Sequence, residues 1–475
     1  MNCRLIALLG AALLPAALVL GGCAMIPKYE RPAPPVPEAF QDTSGIDRDA
    51  STAPAPTDLR WQDFFTDARL RSLIDLALAG NRDLRVATLN IEKAAALYRI
   101  QRAELNPTIG VQAAGLRTQL PEKLAQAEGE GALAGTSSQY YVELGLASWE
   151  LDFFGRLRSL SASALEQYLA TEEARRGAQT ALVAGVAGSY LSLAADGENL
   201  RLARETLEAQ KASYELIRAT RDAGLGSDLD LRQAESQVEA ARVNVAAYTG
   251  AVAVDRNALR LLVGSPVSPD LLPEQFGTVT DPRGVSAGLP SDVLLRRPDI
   301  LAAEHQLRAA NANIGAARAA FFPRISLTAS FGTLAPDVSD LFTAGTRTWT
   351  FAPQIVAPLF ASGSLLANLK ASKVNRAIAV AQYEKAIQVA FAEVSDALTL
   401  RTTLVAQREA QEALVVALRE TWRLYDARYQ AGIDSYLGVL VAQQALFNAQ
   451  QGEVSVRFAE QANLVTLYKV LGGGV

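Results

Sequence analysis

From Arg324 to Thr333 apolar and polar residues alternate without a break. Ile325, Leu327, Ala329, Phe331 and Thr333 point one way; Arg324, Ser326, Thr328, Ser330 and Gly332 point the other. A strand turns successive side chains to opposite faces, so one face here is almost wholly apolar. About ten residues of this pattern suit a membrane-crossing strand, and they suit a half-buried strand of an ordinary sheet as well. Repetition favours the membrane. The strand follows an alanine-rich helix and a Phe321-Phe322-Pro323 stop, and this helix–stop–strand unit occurs twice.

The earlier copy is Tyr98 to Gly115. One constant offset brings Asn106-Pro107 onto Phe322-Pro323 and Asp83-Leu84 onto Asp299-Ile300. Further on, AGLGSDLDL from Ala223 matches AGIDSYLGV from Ala431 at a slightly shorter offset, as it does if the first strand-to-strand loop is the longer one. The chain therefore reads as one unit of roughly 200 residues, duplicated.

Composition removes several function classes. Charged residues make up 20%, the net charge is −5, and the Lys and Arg residues are dispersed, which argues against a nucleic-acid partner. The only histidine is His305, in a helical context, and the only cysteines are Cys3 and Cys23. Metal sites and Ser-His or Cys-His catalysis need more than this, so no enzyme, metal or cofactor is expected.

The first 22 residues read as an export signal: Arg4, then an apolar run from Leu5 to Leu20. The run ends in Leu20-Gly21-Gly22-Cys23, which resembles the lipobox of bacterial lipoproteins. That resemblance implies acylation (palmitate) of Cys23, and Ala24 after it implies sorting to the outer membrane. After the signal we find no uncharged apolar run of 18 residues, so any crossing of the bilayer falls to strands.

The rest divides by pattern. Residues 23–66 are a lipid anchor and a Pro-rich periplasmic tether. The first repeat is 67–263: a helix, strands at 108–119 and 139–151, a long helix at 156–222 and a return helix at 228–263. Residues 264–290 are a connector with five prolines, Pro266, Pro269, Pro273, Pro282 and Pro290. The second repeat is 291–475: a helix at 298–320, strands at 324–333 and 346–355, a long helix at 364–430 and a return helix at 434–471. Each long helix would measure about 100 Å at 1.5 Å per residue. The spacing of Leu193, Leu200, Leu207 and Tyr214 is of coiled-coil kind. Four strands cannot close a barrel and an open edge cannot sit in lipid, so several copies must pool their strands.

The lipobox, LLRRPDI at Leu294 to Ile300, FFPRISLTASFG, and the paired turns AGLGS and AGIDS together resemble the outer-membrane factor family. These are TolC-like channels, here of the lipoprotein branch that serves RND-type efflux pumps. The resemblance spans nearly the whole chain. It implies a membrane α/β-barrel: a homotrimer of duplicated strand–strand–long-helix units, with a twelve-stranded outer-membrane β-barrel and a twelve-helix periplasmic α-barrel. The implied activity is passive export of drugs or other small toxic compounds, and hence antibiotic resistance. The implied partners are an inner-membrane RND transporter, a periplasmic adaptor and outer-membrane lipid.

The resemblance also assigns sites. Gly224, Leu225, Gly226 and Ser227, with Gly432, Ile433, Asp434 and Ser435, form the periplasmic tip where an adaptor would dock. Just inside it, Asp230, Leu437 and Tyr429 match positions of the closing gate. At Val441 the family's VLDAQ pattern reads VLVAQ, so a second acidic ring is not expected. Three other readings are weighed. One is a type I secretion channel for protein export. Another is a periplasmic coiled-coil lipoprotein without a channel. The third, an enzyme, has no catalytic constellation behind it.

Overall fold

The computed structural model describes residues 24–40, 60–121, 135–277, 279 and 291–473. The export signal, Cys23, and parts of the tether, the first strand-to-strand loop and the connector lie outside the described residues. The chain forms two compact units.

The first unit takes in Ile91–Ala170 and Ala303–Gln382 and the described part of Met1–Pro32. It holds four antiparallel strands in the order β1-β2-β3-β4: Ile109–Leu120, Gly135–Leu151, Arg324–Ala335 and Arg347–Val356. β2 starts earlier than its alternation suggests, because Leu120 pairs with Gly135 and lengthens the hairpin. The register builds cross-strand rows. Val111, Leu144, Phe331 and Trp349 form one row; Ile109, Leu146, Ala329 and Phe351 form a second on the same face. The opposite face carries Gln112, Glu143, Gly332 and Thr348. The register slips between Leu146 and Trp149, where Ser148 takes a positive φ of 50°. Alternation resumes beyond this bulge, which re-aims the strand end without mixing the faces. Trp149 then donates its indole N–H to the Leu105 carbonyl at 3.2 Å.

Ion pairs secure the joint between sheet and helix. Arg156 forks onto Glu150 at 2.8 and 2.7 Å, and the Asp152 carboxylate accepts the Arg158 backbone N–H at 2.9 Å. Phe154 stacks on Phe322 of the FFPR stretch, with centroids 4.7 Å apart. The tether's first residues run extended over a helix at Pro298–Ala319. Glu304, only 3% exposed, is their clasp. It accepts from the Tyr29 hydroxyl at 3.0 Å, from Arg31 at 3.0 and 2.6 Å, and from Arg308 at 2.6 Å. Asn311 adds a bond to the Pro27 carbonyl at 2.8 Å. His305 sits beside this clasp with Nδ1 2.6 Å from Glu166, and no group of three or more metal-ligating side chains forms among the described residues.

The second unit takes in Thr171–Ala302 and Tyr383–Val475 and the described part of Ala33–Asn90. After a single turn at Trp61–Phe64, the longer helices in chain order are α1 Ala68–Gly80, α2 Arg82–Ala103, α3 Arg156–Asp222, α4 Asp228–Val263, α5 Pro298–Ala319, α6 Ser364–Gln430 and α7 Tyr436–Val470; several of them reach into both units. α3 and α6 are each 67 residues long, and their return helices are about half that. The seam residues Leu193, Leu200, Ala203 and Ile217 of α3 are buried. One core joins α1 (Leu70, Leu73, Ile74), α3 (Val186, Leu191), α4 (Leu259) and α7 (Tyr468). α3 also contains a window apolar enough, by length and composition, to cross a membrane. Most of that window is buried inside the protein, so its apolar character serves packing. The LLRRPDI motif has a packing role as well. Arg297, 7% exposed, donates to the Val470 carbonyl at 2.7 Å, to Asp299 at 3.0 and 2.8 Å, and to Glu393 at 2.8 Å. This ties the C-terminal helix to α5 and α6.

Candidate functional site

The two reversals, α3 to α4 and α6 to α7, have the same backbone. Gly224 donates to the Arg221 carbonyl at 2.9 Å and Leu225 to Thr220 at 3.0 Å. Gly432 donates to Tyr429 at 2.9 Å and Ile433 to Arg428 at 2.9 Å. Each pair is a Schellman helix stop, which needs a left-handed residue after the last turn. Gly224 and Gly432 supply it, with φ of 76° and 73°. In such stops the next residue is usually apolar and packs back on the helix. Here Leu225 and Ile433 occupy that place yet stay 83% and 63% exposed. Two apolar side chains are thus exposed on hydrogen-bonded turns.

The re-entries differ. Ser227 caps α4: its hydroxyl accepts the Asp230 N–H at 3.1 Å and donates to the Asp230 carboxylate at 2.7 Å. This is an N-cap through the Ser227 hydroxyl, which the Asp230 carboxylate orients by accepting its proton. Ser435 stands before α7 without a side-chain cap, and α7 starts at Tyr436, later than the expected 434, because Asp434 is turned to Arg428 at 2.6 and 3.1 Å. The Arg428 guanidinium holds the Asp434 carboxyl below the usual carboxylate range. At the first turn Arg221 bridges Asp222 at 2.8 Å and Asp228 at 2.9 Å. These arginines were not singled out from the sequence; a basic residue in the last turn with an acid just past the glycine is the signal that would have found them. Beside the second turn a cleft of about 530 Å³ is lined by Leu424, Tyr425, Arg428, Asp434 and Gly438.

Of the candidate gate residues, Asp230 and Tyr429 come near one another. Burial, and then the Asp230 charge, push the Tyr429 hydroxyl upward. Tyr429 packs on Tyr436 at 5.3 Å between centroids. Leu437 is separate from both. Tyr436, Val439 and Leu440 enter a buried cluster with Ile217, Leu231 and Ala234, while Leu437 stays 51% exposed. Val441, one helical turn on, is exposed too, so α7 carries an apolar pair with no partner inside the cluster. Cys23 lies outside the described residues.

The sequence model of the outer membrane efflux protein family matches residues 73–265 and 289–473. The toluene efflux pump outer membrane protein TtgC of Pseudomonas putida is 47% identical over 458 residues, covering 96% of this chain and 94% of its own. The antibiotic efflux pump outer membrane protein ArpC of Pseudomonas putida matches at the same identity and coverage. Among solved structures, the open state of the Neisseria gonorrhoeae MtrE outer membrane channel superposes with a TM-score of 0.84 at 39% identity, covering 95% of this chain and 98% of that one. Four membrane-type strands, two long helical hairpins and these likenesses agree: the chain belongs to the outer membrane efflux protein family, and it is a TolC-like channel component of an efflux pump in the outer membrane.

Proposed function

We propose that this protein is the exit duct for small organic toxicants such as antibiotics and solvents. An RND transporter in the inner membrane would deliver them through a periplasmic adaptor. Relatives named for toluene and antibiotic efflux support the substrate class. Among the described residues the outer edges of β1 and β4 are unpaired within one chain, and three copies would pair them. Cys23 adds a lipid anchor. Mass spectrometry of the mature N-terminus is expected to show an acylated cysteine; an unmodified N-terminus cut elsewhere removes that claim.

The observation that carries the partner assignment is the pair of bare apolar residues on the helix stops. Leu225 and Ile433, with Gly224, Gly226, Ser227, Gly432, Asp434 and Ser435 around them, form the seat of the adaptor. Burying one such side chain is worth about 1.5–3 kcal/mol. Leu225→Asp with Ile433→Asp is therefore expected to weaken adaptor binding tenfold or more, about 1.4 kcal/mol per tenfold. Cells carrying the double variant should become as drug-sensitive as cells lacking the gene. Wild-type resistance at equal trimer levels would show that docking lies elsewhere; no sensitivity on deleting the gene would instead remove the export reading. Inside the tip, Leu437 closes the resting channel, with Asp230 and Tyr429 in a lesser role at the same gate.

A further inference from the structure

We infer that Glu143 sets the charge preference of the barrel lumen, so that the duct favours cationic over anionic solutes. The apolar rows of the sheet face lipid in a barrel of this family, which leaves the opposite face to water. On that face Glu143 stands between Gln112 of β1 and Gly332 of β3. It overlooks a groove of about 440 Å³ whose other polar walls are Thr108, Gln112, Thr328 and Ser330. None of these is basic. The Gln112 amide is turned to the Tyr141 hydroxyl at 3.1 Å.

The sheet is built to leave this carboxylate bare. A Cβ on Gly332 would lie 2.5 and 2.6 Å from Glu143 Cα and Cβ, so no side chain fits beneath it. A Cβ on Gly145 would lie 2.7 Å from Ser330 Cβ, so the next row is bare at that point as well.

The other charges on the sheet do not cancel it. Glu150 shares its face but is neutralised by Arg156 at 2.7 Å. Arg117 and Arg347 fall on the opposite face. Arg324 shares the lumenal face at the far end of β3, about 27 Å away at roughly 3.4 Å per residue. That is several times the Debye length of about 8 Å at physiological salt. Among the described residues no basic side chain bonds Glu143. Threefold symmetry then places three unneutralised carboxylates at one level of a water-filled passage. A single-sign ring between low-dielectric walls concentrates ions of the opposite sign. Val441 leaves the α7 stripe apolar where the family pattern has an acid, so discrimination by charge rests more heavily on the barrel.

The test places a thiol one row away, by Thr350→Cys. Thr350 pairs with Ser330 on the same face, and the chain's own cysteines, Cys3 and Cys23, are far from the strands in sequence. Purified trimers react with a cationic and with an anionic methanethiosulfonate of similar size. Both reagents enter from the external side, so the result does not depend on the periplasmic gate. The cationic reagent is expected to react about three- to tenfold faster in 10 mM salt, the two rates converging in 1 M salt as the Debye length shrinks to about 3 Å. Adding Glu143→Gln should remove the preference, and Glu143→Lys should invert it. A rate ratio near one in Thr350→Cys alone overturns the proposal without any change at Glu143, and so does a preference that survives Glu143→Gln. Failure to react with either reagent would instead show that this face is not lumenal.

Discussion

Phe331→Arg is expected to abolish stable trimers in the outer membrane, while Ser330→Arg, its neighbour in the chain, assembles normally and lowers conductance. Phe331 lies mid-row between Leu144 and Trp349, on a sheet face whose neighbouring row is equally apolar. Such a face in a barrel looks onto acyl chains. An arginine there costs roughly 2–4 kcal/mol at the bilayer midplane. Three chains carry the substitution, so the assembled barrel loses roughly 6–12 kcal/mol, comparable to the whole stability of an ordinary domain. Ser330 sits in the groove beside Gly145 on the wet side, where a guanidinium keeps its hydration. Heat-resistant trimer on gels and outer-membrane yield are the measurements. Equal yields for the two variants would mean that the two faces are not lipid and water, and the strand assignment would fail.

The faces of the sheet were legible because a strand has a period of two, and Arg324 to Thr333 keeps it without error. The long helices were legible for a similar reason: proline is absent from Arg156 to Asp222, and glycine follows each end in a turn that appears twice. What the pattern does not encode is pairing between distant residues. Glu304 looks like any solvated acid of an amphipathic helix, and only the fold brings Tyr29 and Arg31 to it. Arg297 in LLRRPDI is similar, since its partners Glu393 and the Val470 carbonyl come from far along the chain. The bulge at Ser148 also escaped, because a single slipped residue leaves composition unchanged. At the candidate gate the sequence marked Asp230 as the acid of a closing ring. Its Ser227 partner shows a second, local duty, orienting the hydroxyl that caps α4.

That double duty shapes the last expected result. Leu437→Ser is expected to make the resting channel leak, and Asp230→Ala to add little on top of it. Leu437 and Val441 project from the same side of α7, away from the cluster that holds Tyr436, Val439 and Leu440. Left more than half exposed by their own chain, they have two other copies to meet, and a ring of three leucines excludes ions by dewetting. Removing the leucine takes away roughly 1.5–3 kcal/mol of apolar burial per chain and wets the ring. The Asp230 carboxylate is occupied by the Ser227 hydroxyl, and any bond it lends to a neighbouring chain would be an exposed one of about 0.2–1 kcal/mol. Its replacement should chiefly cost part of the α4 cap, about 0.5–2 kcal/mol, seen as a lower unfolding temperature with little change in current. Leu437→Ser with Val441→Ser should leak most, because the second apolar tier is lost as well. Planar-bilayer conductance at rest and cellular uptake of a large antibiotic such as vancomycin read the outcome. If Leu437→Ser stays silent and Asp230→Ala leaks, a charged ring closes the tip. If the Leu437→Ser, Asp230→Ala and Val441→Ser triple variant remains as tight as the wild type, the closure lies at another level of the tunnel.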